Sequence, residues 1–477
     1  MIKNQINCIA EDMSYKPYYS YKTGSCVAGC PSGTVAVGYT CVPEDDPFNQ
    51  REAEKGFESL INGIARDLHT CTKEIVSLCF IALTFAFCML LVLRYMAAVF
   101  VWIAIGGVIA ACGIATGVFW YLTDSSEGFL PLAIFFSIFT VVIILVVLVM
   151  RKRILLVIQL LKEAGKSITA MPLIIFEPLL TFLALAILWT AWIYFMLYIE
   201  SAGIPTVEGG RIIYKQNFVM RFTYWYNIFI MLWMVQFVYG CQNMFIAGAV
   251  SVWYFTRDKS NLARPVFKNV KNVMKYHLGT ISLGSFIIAL IQIIRILFRS
   301  FRRYFRLLGC CFSICCVHNY IQSGLSYFET WMKYFTRNAY IITSIHGYSF
   351  CEAGSRAFKL LVENALRVIA INSVGDFVLV LAKLLVVTCT VLIATAMLQD
   401  KEHVQNAWAP ILLVGIMAYL IAHCFLTVYE MAIDTIFICF CEDCEINDGM
   451  ARPYFMSQGL MLFVENSKSV LGIKEEQ

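Results

Sequence analysis

Residues 130–150 have the sequence LPLAIFFSIFTVVIILVVLVM and are followed by the basic cluster Arg151-Lys152-Arg153. About 20 apolar residues in helical form cross the roughly 30 Å of hydrocarbon in a bilayer, and a helix bonds its backbone polar groups internally. Basic residues gather on the cytoplasmic side of such helices. This stretch therefore predicts a membrane-spanning helix whose C-terminal end lies in the cytoplasm.

The rest of the chain repeats this pattern. Of its 477 residues, 60% are hydrophobic and 14% are charged, a balance that a soluble domain could not cover with polar surface. The predicted fold class is all-α: a polytopic transmembrane helical bundle of about nine membrane segments within residues 73–445, followed by a cytosolic tail at 446–477. The apolar runs are 75–93, 97–122, 130–150, 173–198, 224–255, 278–298, the mixed stretch 307–345, 378–398 and 411–440.

The charge distribution indicates orientation and partners. The formal net charge is only +5, and Lys and Arg gather in short clusters at the ends of apolar runs. Membrane lipids are therefore expected partners and nucleic acid is not, and residues 123–128 and 203–217 are expected outside. Residues 278–345 leave two alternatives open, an in-out-in helix pair or a re-entrant hairpin, because basic residues follow position 298. Residues 357–371 (AFKLLVENALRVIAI) predict an amphipathic helix on the membrane interface.

Residues 1–72 differ in composition, because they are polar and contain Cys8, Cys26, Cys30 and Cys41. Four cysteines allow three disulfide pairings, and the sequence does not choose among them. An oxidising exterior suits such a segment, which we interpret as part of a Cys-rich extracellular loop. No hydrophobic signal precedes it, so we expect either a missing upstream membrane helix or, alternatively, a cytosolic segment.

Polar side chains recur along one face of the last apolar run, at His423, Thr427, Glu430 and Asp434. Spacings of three and four place them on one edge of a helix. Buried carboxylates and a histidine are costly in a membrane, so they are candidates for attracting a cation and exchanging protons. The structural alternative is that Asp434 pairs with a neighbouring helix or reaches interfacial water.

A second stripe runs along the segment 224–255 through Trp233, Gln236, Tyr239 and Asn243. A quaternary ammonium donates no conventional hydrogen bond, and aromatic ring faces hold it best. The amides could bind a hydroxyl group. These four residues, with Glu430 and Asp434, are the predicted substrate-binding set, and His423, Glu430 and Asp434 are the predicted proton-coupling set. The alternative for the second stripe is helix packing.

Two further features carry weaker signals. Glu177 precedes Pro178 at the start of the segment 173–198 and could be a coupling acid or a hydrated carboxylate near the cytoplasmic boundary. Cys441 and Cys444 form a lone C-x2-C pair, which is insufficient for a zinc site. We therefore predict no metal and no cofactor.

Five strings carry a family resemblance: QNMFIAGAVSVWYFTRDK at 242–259, YHLGTISLGS at 276–285, RNAY at 337–340, NALRVIAINSVGDF at 364–377 and AHCFLTVYEMAID at 422–434. Together they resemble the choline transporter-like proteins, over nearly all of residues 78–468. The resemblance implies a ten-helix solute carrier of the plasma membrane, or of a mitochondrial membrane, that moves choline and ethanolamine in exchange for protons and supplies phospholipid synthesis. The family's first helix has no counterpart here, and Glu177 replaces an amide.

Two other functional classes compete with a carrier. A membrane-embedded enzyme of phospholipid-headgroup metabolism would need a paired Asp motif of the form Asp-Gly-x2-Ala-Arg. The string Asp448-Gly-Met-Ala-Arg452 is one residue short of it. A channel or signalling scaffold would show flux without saturation, or none. We predict a transporter and no enzymatic activity, and leave the oligomeric state open.

Overall fold

The computed structural model describes residues 18–20, 25–27, 34–37, 40–43, 64, 66–125, 127–208, 211–215, 217–259, 264–307, 312–365, 368, 374–398, 407–447 and 452–462. The helices are α1 Thr72–Tyr95, α2 Ala97–Ser125, α3 Leu130–Ala170, α4 Glu177–Ser201, α5 Phe218–Phe255, α6 Pro265–Asn272, α7 Leu278–Leu307, α8 Phe312–His346, α9 Phe350–Glu363, α10 Asp376–Leu398 and α11 Trp408–Ile446. The strands are β1 Tyr18–Ser20, β2 Ser25–Val27, β3 Thr34–Val37, β4 Thr40–Pro43, β5 Ile204–Glu208 and β6 Arg211–Lys215.

Eight helical segments of the described chain are long and apolar enough to cross a membrane. They confirm the predicted class, an all-α polytopic membrane protein, and each contains one of the apolar runs. The ninth predicted segment, 307–345, is mostly α8, a helix of 35 residues that falls outside those eight. Several of its polar side chains, among them Lys333 and Arg337, line a cavity, which contributes to its mixed composition.

Helix α3 continues 20 residues beyond the apolar run that predicted it, to Ala170. The extension is amphipathic, and Ile154, Leu156, Leu160 and Leu161 are buried in the main hydrophobic core. Burying several such side chains stabilises the fold by roughly 1.5–3 kcal/mol each. The core is thus concentrated beyond the basic cluster that ends the apolar run, at one end of the helices.

Helices α7 and α8 form an antiparallel pair. Gln292 donates to Glu329 at 2.9 Å, and the Tyr340 hydroxyl donates to the Ile281 carbonyl at 3.0 Å. Residue numbers decrease along α7 as the numbers of their contact partners on α8 increase. At 1.5 Å per residue, helices of 30 and 35 residues span about 45 and 52 Å. Both lengths would reach across a bilayer, but α7 lies within one of the eight apolar segments and α8 does not, so both alternatives for 278–345 stay predictions.

The predicted amphipathic helix begins seven residues earlier than position 357, at Phe350, and α9 ends at Glu363. Lys359 and Glu363 contact each other at 3.9 Å, as the spacing of four predicts. The buried face contains Ala353 and Leu360. Arg367 lies outside the described residues.

The chain divides into two compact units. The first contains Met1–Ile75, Thr190–Ile228 and Leu398–Leu412. It holds a four-stranded sheet in the order β2-β1-β4-β3 and the hairpin β5-β6. β1 pairs antiparallel with β2 and parallel with β4, and β3 pairs antiparallel with β4. Cys26 and Cys41 are strand residues, while Cys8 and Cys30 lie outside the described residues, so the disulfide pairing stays a prediction.

The second unit contains Val76–Trp189, Phe229–Met397 and Leu413–Gln477. At the end of α11 within this unit, buried Asp443 accepts the backbone N–H groups of Phe455 and Met456, each at 2.9 Å. Buried Glu442 accepts Nε and Nη2 of Arg356, both at 2.7 Å. This hydrogen bond raises the pKa of Arg356. The Asp443 contacts thus hold Phe455 and Met456 against α11, and the Glu442 contacts join α9 to α11.

Candidate functional site

A cavity of about 410 Å³ lies between α5, α7 and α8 within the second unit. We call it the α5–α8 cavity. Its volume falls in the roughly 300–1,000 Å³ range of small-molecule sites. The lining residues are Gln236, Tyr239, Gly240 and Asn243 of α5, Ile288 of α7, and Lys333, Tyr334, Thr336, Arg337 and Tyr340 of α8.

Two glycines allow the walls of the cavity to meet. A Cβ added at Gly240 would lie 2.7 Å from Ile281 Cγ2, and one added at Gly284 would lie 2.5 Å from the Tyr340 hydroxyl oxygen. Only a residue without a side chain fits at these contacts. The glycines therefore set the distance between the helices and hold Tyr340 at the cavity wall.

Three members of the predicted binding set line this cavity. Gln236, Tyr239 and Asn243 lie three and four residues apart, as the α5 stripe requires. Across from them are the rings of Tyr334 and Tyr340. The cavity thus offers ring faces and amide groups together, the combination expected for a small organic cation with a hydroxyl group.

Trp233, the fourth member of that stripe, is outside the cavity lining. Its indole N–H donates to the Ser282 carbonyl at 3.1 Å, and its ring meets Phe286 edge-on with centroids 5.4 Å apart. The ring also lies near Phe229, at 6.3 Å. Trp233 joins α5 to α7, which favours the packing alternative for this residue.

The carboxylates of the α11 stripe meet an arginine that the sequence-based binding set did not include. Arg337 Nη1 lies 2.7 Å from Glu430 Oε1, and Nη2 makes an ion pair with Asp434. The side chains of Arg337, Glu430 and Asp434 are 23%, 27% and 11% exposed. Asp434 therefore pairs with a neighbouring helix, as the structural alternative held, and the trio has a formal charge of −1.

The N-terminal part of the α11 stripe, His423 and Thr427, is separate from the Arg337 trio. His423 is exposed and stacks on Tyr419 with ring centroids 6.0 Å apart, and Thr427 donates to the His423 carbonyl at 2.7 Å. His423 interacts electrostatically with Glu430 and with Lys383 of α10. Among the described residues its link to the trio is this electrostatic interaction with Glu430.

A second charge cluster neutralises Lys333, the other cation of the cavity. Glu329 is buried and lies 2.8 Å from Lys333 Nζ and 2.9 Å from Arg295 Nη2. Gln292 donates to the same carboxylate at 2.9 Å. Among the described residues no carboxylate lines the cavity itself, so its negative charges lie behind Lys333 and Arg337.

Glu177 lies outside the cavity lining. Its side chain is buried, one carboxylate oxygen accepts the Thr181 hydroxyl at 3.1 Å, and the other has no hydrogen-bond partner in the described part of the chain. It interacts electrostatically with Cys241 on α5. Glu177 is thus a buried carboxyl group apart from the Arg337 trio.

Sequence reasoning missed Lys333, Tyr334 and Tyr340 as lining residues. A signal was present, because polar and aromatic residues recur at spacings of three and four from Glu329 to Tyr340. Arg337 and Tyr340 appeared only within the string RNAY, without a role.

Long apolar helices and a cavity with charged and aromatic walls define a multi-pass membrane protein with a candidate small-molecule site. The chain belongs to the plasma-membrane choline transporter family, whose model matches residues 134–445.

Curated relatives are similar over most of the chain. Choline transporter-like protein 1 of Mus musculus is 36% identical over 446 residues, covering 87% of this chain and 67% of its own length. Choline transporter-like protein 1 of Torpedo marmorata is 36% identical over 468 residues, covering 91% of this chain and 71% of its own length. Choline transporter-like protein 3 of Homo sapiens is 32% identical over 486 residues, covering 94% and 72%. The chain thus spans about two thirds of the length of these relatives.

Proposed function

We propose that this protein is a secondary transporter that carries choline across the plasma membrane through the α5–α8 cavity. The observation that carries the proposal is the pairing of Tyr239 and Asn243 on one wall with Tyr334 and Tyr340 on the other, in a member of this family. The trimethylammonium group lies against the tyrosine rings. Each favourable ring contact contributes roughly 0.5–2 kcal/mol.

The two ends of choline meet different groups. Gln236 and Asn243 have both donor and acceptor atoms, so they bind the hydroxyl group of the solute. The positive charge is balanced by the trio behind the wall, in which Glu430 and Asp434 outnumber Arg337. The trio alone has one net negative charge, which suits one monovalent cation.

Ethanolamine is the second proposed substrate, since its ammonium group can donate hydrogen bonds to the same amides. Proton exchange is assigned to Glu430 and Asp434, with His423 as an exposed relay that senses Glu430 through charge. A protonated carboxylate binds a cation less well, so protons and choline compete for one site. Such competition is the requirement for antiport.

We also propose that the N-terminal segment 1–72 lies outside the cell, with Cys8, Cys26, Cys30 and Cys41 as its disulfide candidates.

Radiolabelled choline uptake into proteoliposomes tests the proposal. Saturable uptake of unmodified choline, accelerated by an outward proton gradient imposed on the vesicles, is expected. Asp434→Asn should reduce uptake while the protein still reaches the membrane, and Glu363→Gln, at an exposed carboxylate of α9, should have no effect. Conversion of choline to a product would indicate an enzyme, and uptake without saturation a channel.

A further inference from the structure

We infer that Arg337 is an internal counter-cation that occupies the Glu430–Asp434 pair when the cavity is empty and is displaced from it when a solute cation binds. The inference rests on the proposed function and deepens it by naming the residue that competes with the solute. The relationship that supports it is that one side chain both lines the cavity and pairs with both carboxylates.

The charges of the empty cavity require such a competitor. The charged side chains among its described lining residues are Lys333 and Arg337, both positive. A cation that entered this wall unchanged would meet two like charges at short range, which opposes binding. Lys333 forms an ion pair with Glu329, and that carboxylate is shared with Arg295. The spare negative charge is therefore on Glu430 and Asp434, beyond Arg337.

A solute cation can displace Arg337 from Glu430 and Asp434 because Arg337 does not use all of its hydrogen-bond donors. Its Nε is buried without a hydrogen-bond partner among the described residues. Its guanidinium carbon lies 5.9 Å from the centroid of the Tyr334 ring, near the limit of a cation–π contact. The hold of Arg337 on the carboxylates is thus reinforced neither at Nε nor by a close ring contact.

The exchange has a mechanical consequence. Arg337 is on α8, and Glu430 is on α11, so their contact joins two helices. When a solute takes the carboxylates, this connection is released. A carrier needs such a link, because solute binding must favour a different arrangement of helices for access to alternate.

Equilibrium binding of radiolabelled choline to the purified full chain tests the inference. Arg337→Gln should bind choline about tenfold more tightly than the unchanged protein, since the solute no longer displaces a tethered cation. Its uptake turnover should fall, because the release of α8 from α11 is no longer linked to binding. Lys359→Gln is the control, since it also removes a positive charge from an ion pair with a carboxylate but leaves the cavity lining, Glu430 and Asp434 unchanged. It should not tighten binding.

A double variant covers the case in which Arg337→Gln fails to fold. Asp434→Asn alone leaves one carboxylate matched by Arg337 and should weaken choline binding. Arg337→Gln combined with Asp434→Asn restores the formal charge of −1 and should recover binding relative to Asp434→Asn. A folded Arg337→Gln protein with unchanged or weaker binding, or a double variant no better than Asp434→Asn, would overturn the inference. Absence of choline binding by the unchanged chain would instead overturn the proposed function.

Discussion

Arg337 of α8 and Glu430 of α11, 93 positions apart in the sequence, contact each other at 2.7 Å. The pair places the negative charge of α11 directly behind the wall of the α5–α8 cavity. Asp434, one turn further along α11, joins the same guanidinium. The carboxylates therefore do not project freely into a path for solute, and access to them depends on an arginine.

The cavity wall should respond to small changes at Asn243. Asn243→Ala removes an amide that lines the cavity and should raise the KM for choline roughly tenfold with little change in protein stability. Met234→Ala is the matched control, because Met234 is on the same helix, 39% exposed and outside the cavity lining. Concentration-dependent uptake measures both. Equal KM values for the two variants would remove Asn243 from the site.

Trp233 should behave as a packing residue. Trp233→Ala loses the hydrogen bond to Ser282 and the edge-on contact with Phe286, and we expect a loss of about 3–5 kcal/mol in the free energy of unfolding. Thermal unfolding of the detergent-solubilised protein measures this. The KM of the folded fraction should stay near that of the unchanged protein. A variant that is fully stable but binds choline weakly would return Trp233 to the binding set.

The glycine contact at the cavity wall predicts a sharp positional effect on α7. Gly284→Ala places a methyl group 2.5 Å from the Tyr340 hydroxyl oxygen and 2.7 Å from the Phe350 ring. Such overpacking costs about 1–3 kcal/mol. At Gly279, on the same helix, no other part of the described residues lies within 4 Å of an added Cβ, apart from the neighbouring residues and backbone of the helix itself. Gly279→Ala should therefore be neutral or slightly stabilising, and a comparable loss at both positions would contradict the packing described here.

The end of α11 offers a test that is separate from transport. Glu442 is fully buried and holds Arg356 through two 2.7 Å hydrogen bonds, so Glu442→Gln should destabilise the protein by about 3 kcal/mol. Glu445 contacts the same arginine once, at 3.2 Å, and its side chain is 38% exposed. Glu445→Gln should cost less than about 1 kcal/mol. Thermal unfolding of the two variants, measured side by side, tests this difference. Equal losses of stability would contradict it.

The membrane helices could be predicted because length and apolarity alone decide them. The run 97–122 corresponds to Ala97–Ser125, and the run 378–398 to Asp376–Leu398. The extension of α3 to Ala170 was missed, because an amphipathic helix beyond a basic cluster does not need apolar residues on every face. α8 was recognised only as a mixed stretch, since a helix that lines a polar cavity loses the apolar signal of a membrane span.

The candidate site was partly predictable for a similar reason. Helical spacing placed Gln236, Tyr239 and Asn243 on one face, and the structure places that face on the cavity. Spacing says nothing about which helix lies opposite, so the Arg337 ion pairs could not be found that way, although the polar and aromatic residues from Glu329 to Tyr340 have helical spacing too. Trp233 has the same spacing but contacts Ser282 and Phe286 of α7. One face of a helix is long enough to contact both a cavity and a neighbouring helix.

A structure of the protein with choline bound measures the central claim most directly. We predict density for the solute between the Gln236–Asn243 face of α5 and the Tyr334–Tyr340 face of α8, with the Arg337 guanidinium moved away from Glu430. Choline bound elsewhere in the protein, or bound in this cavity while Arg337 keeps its contacts with both carboxylates, would contradict the account.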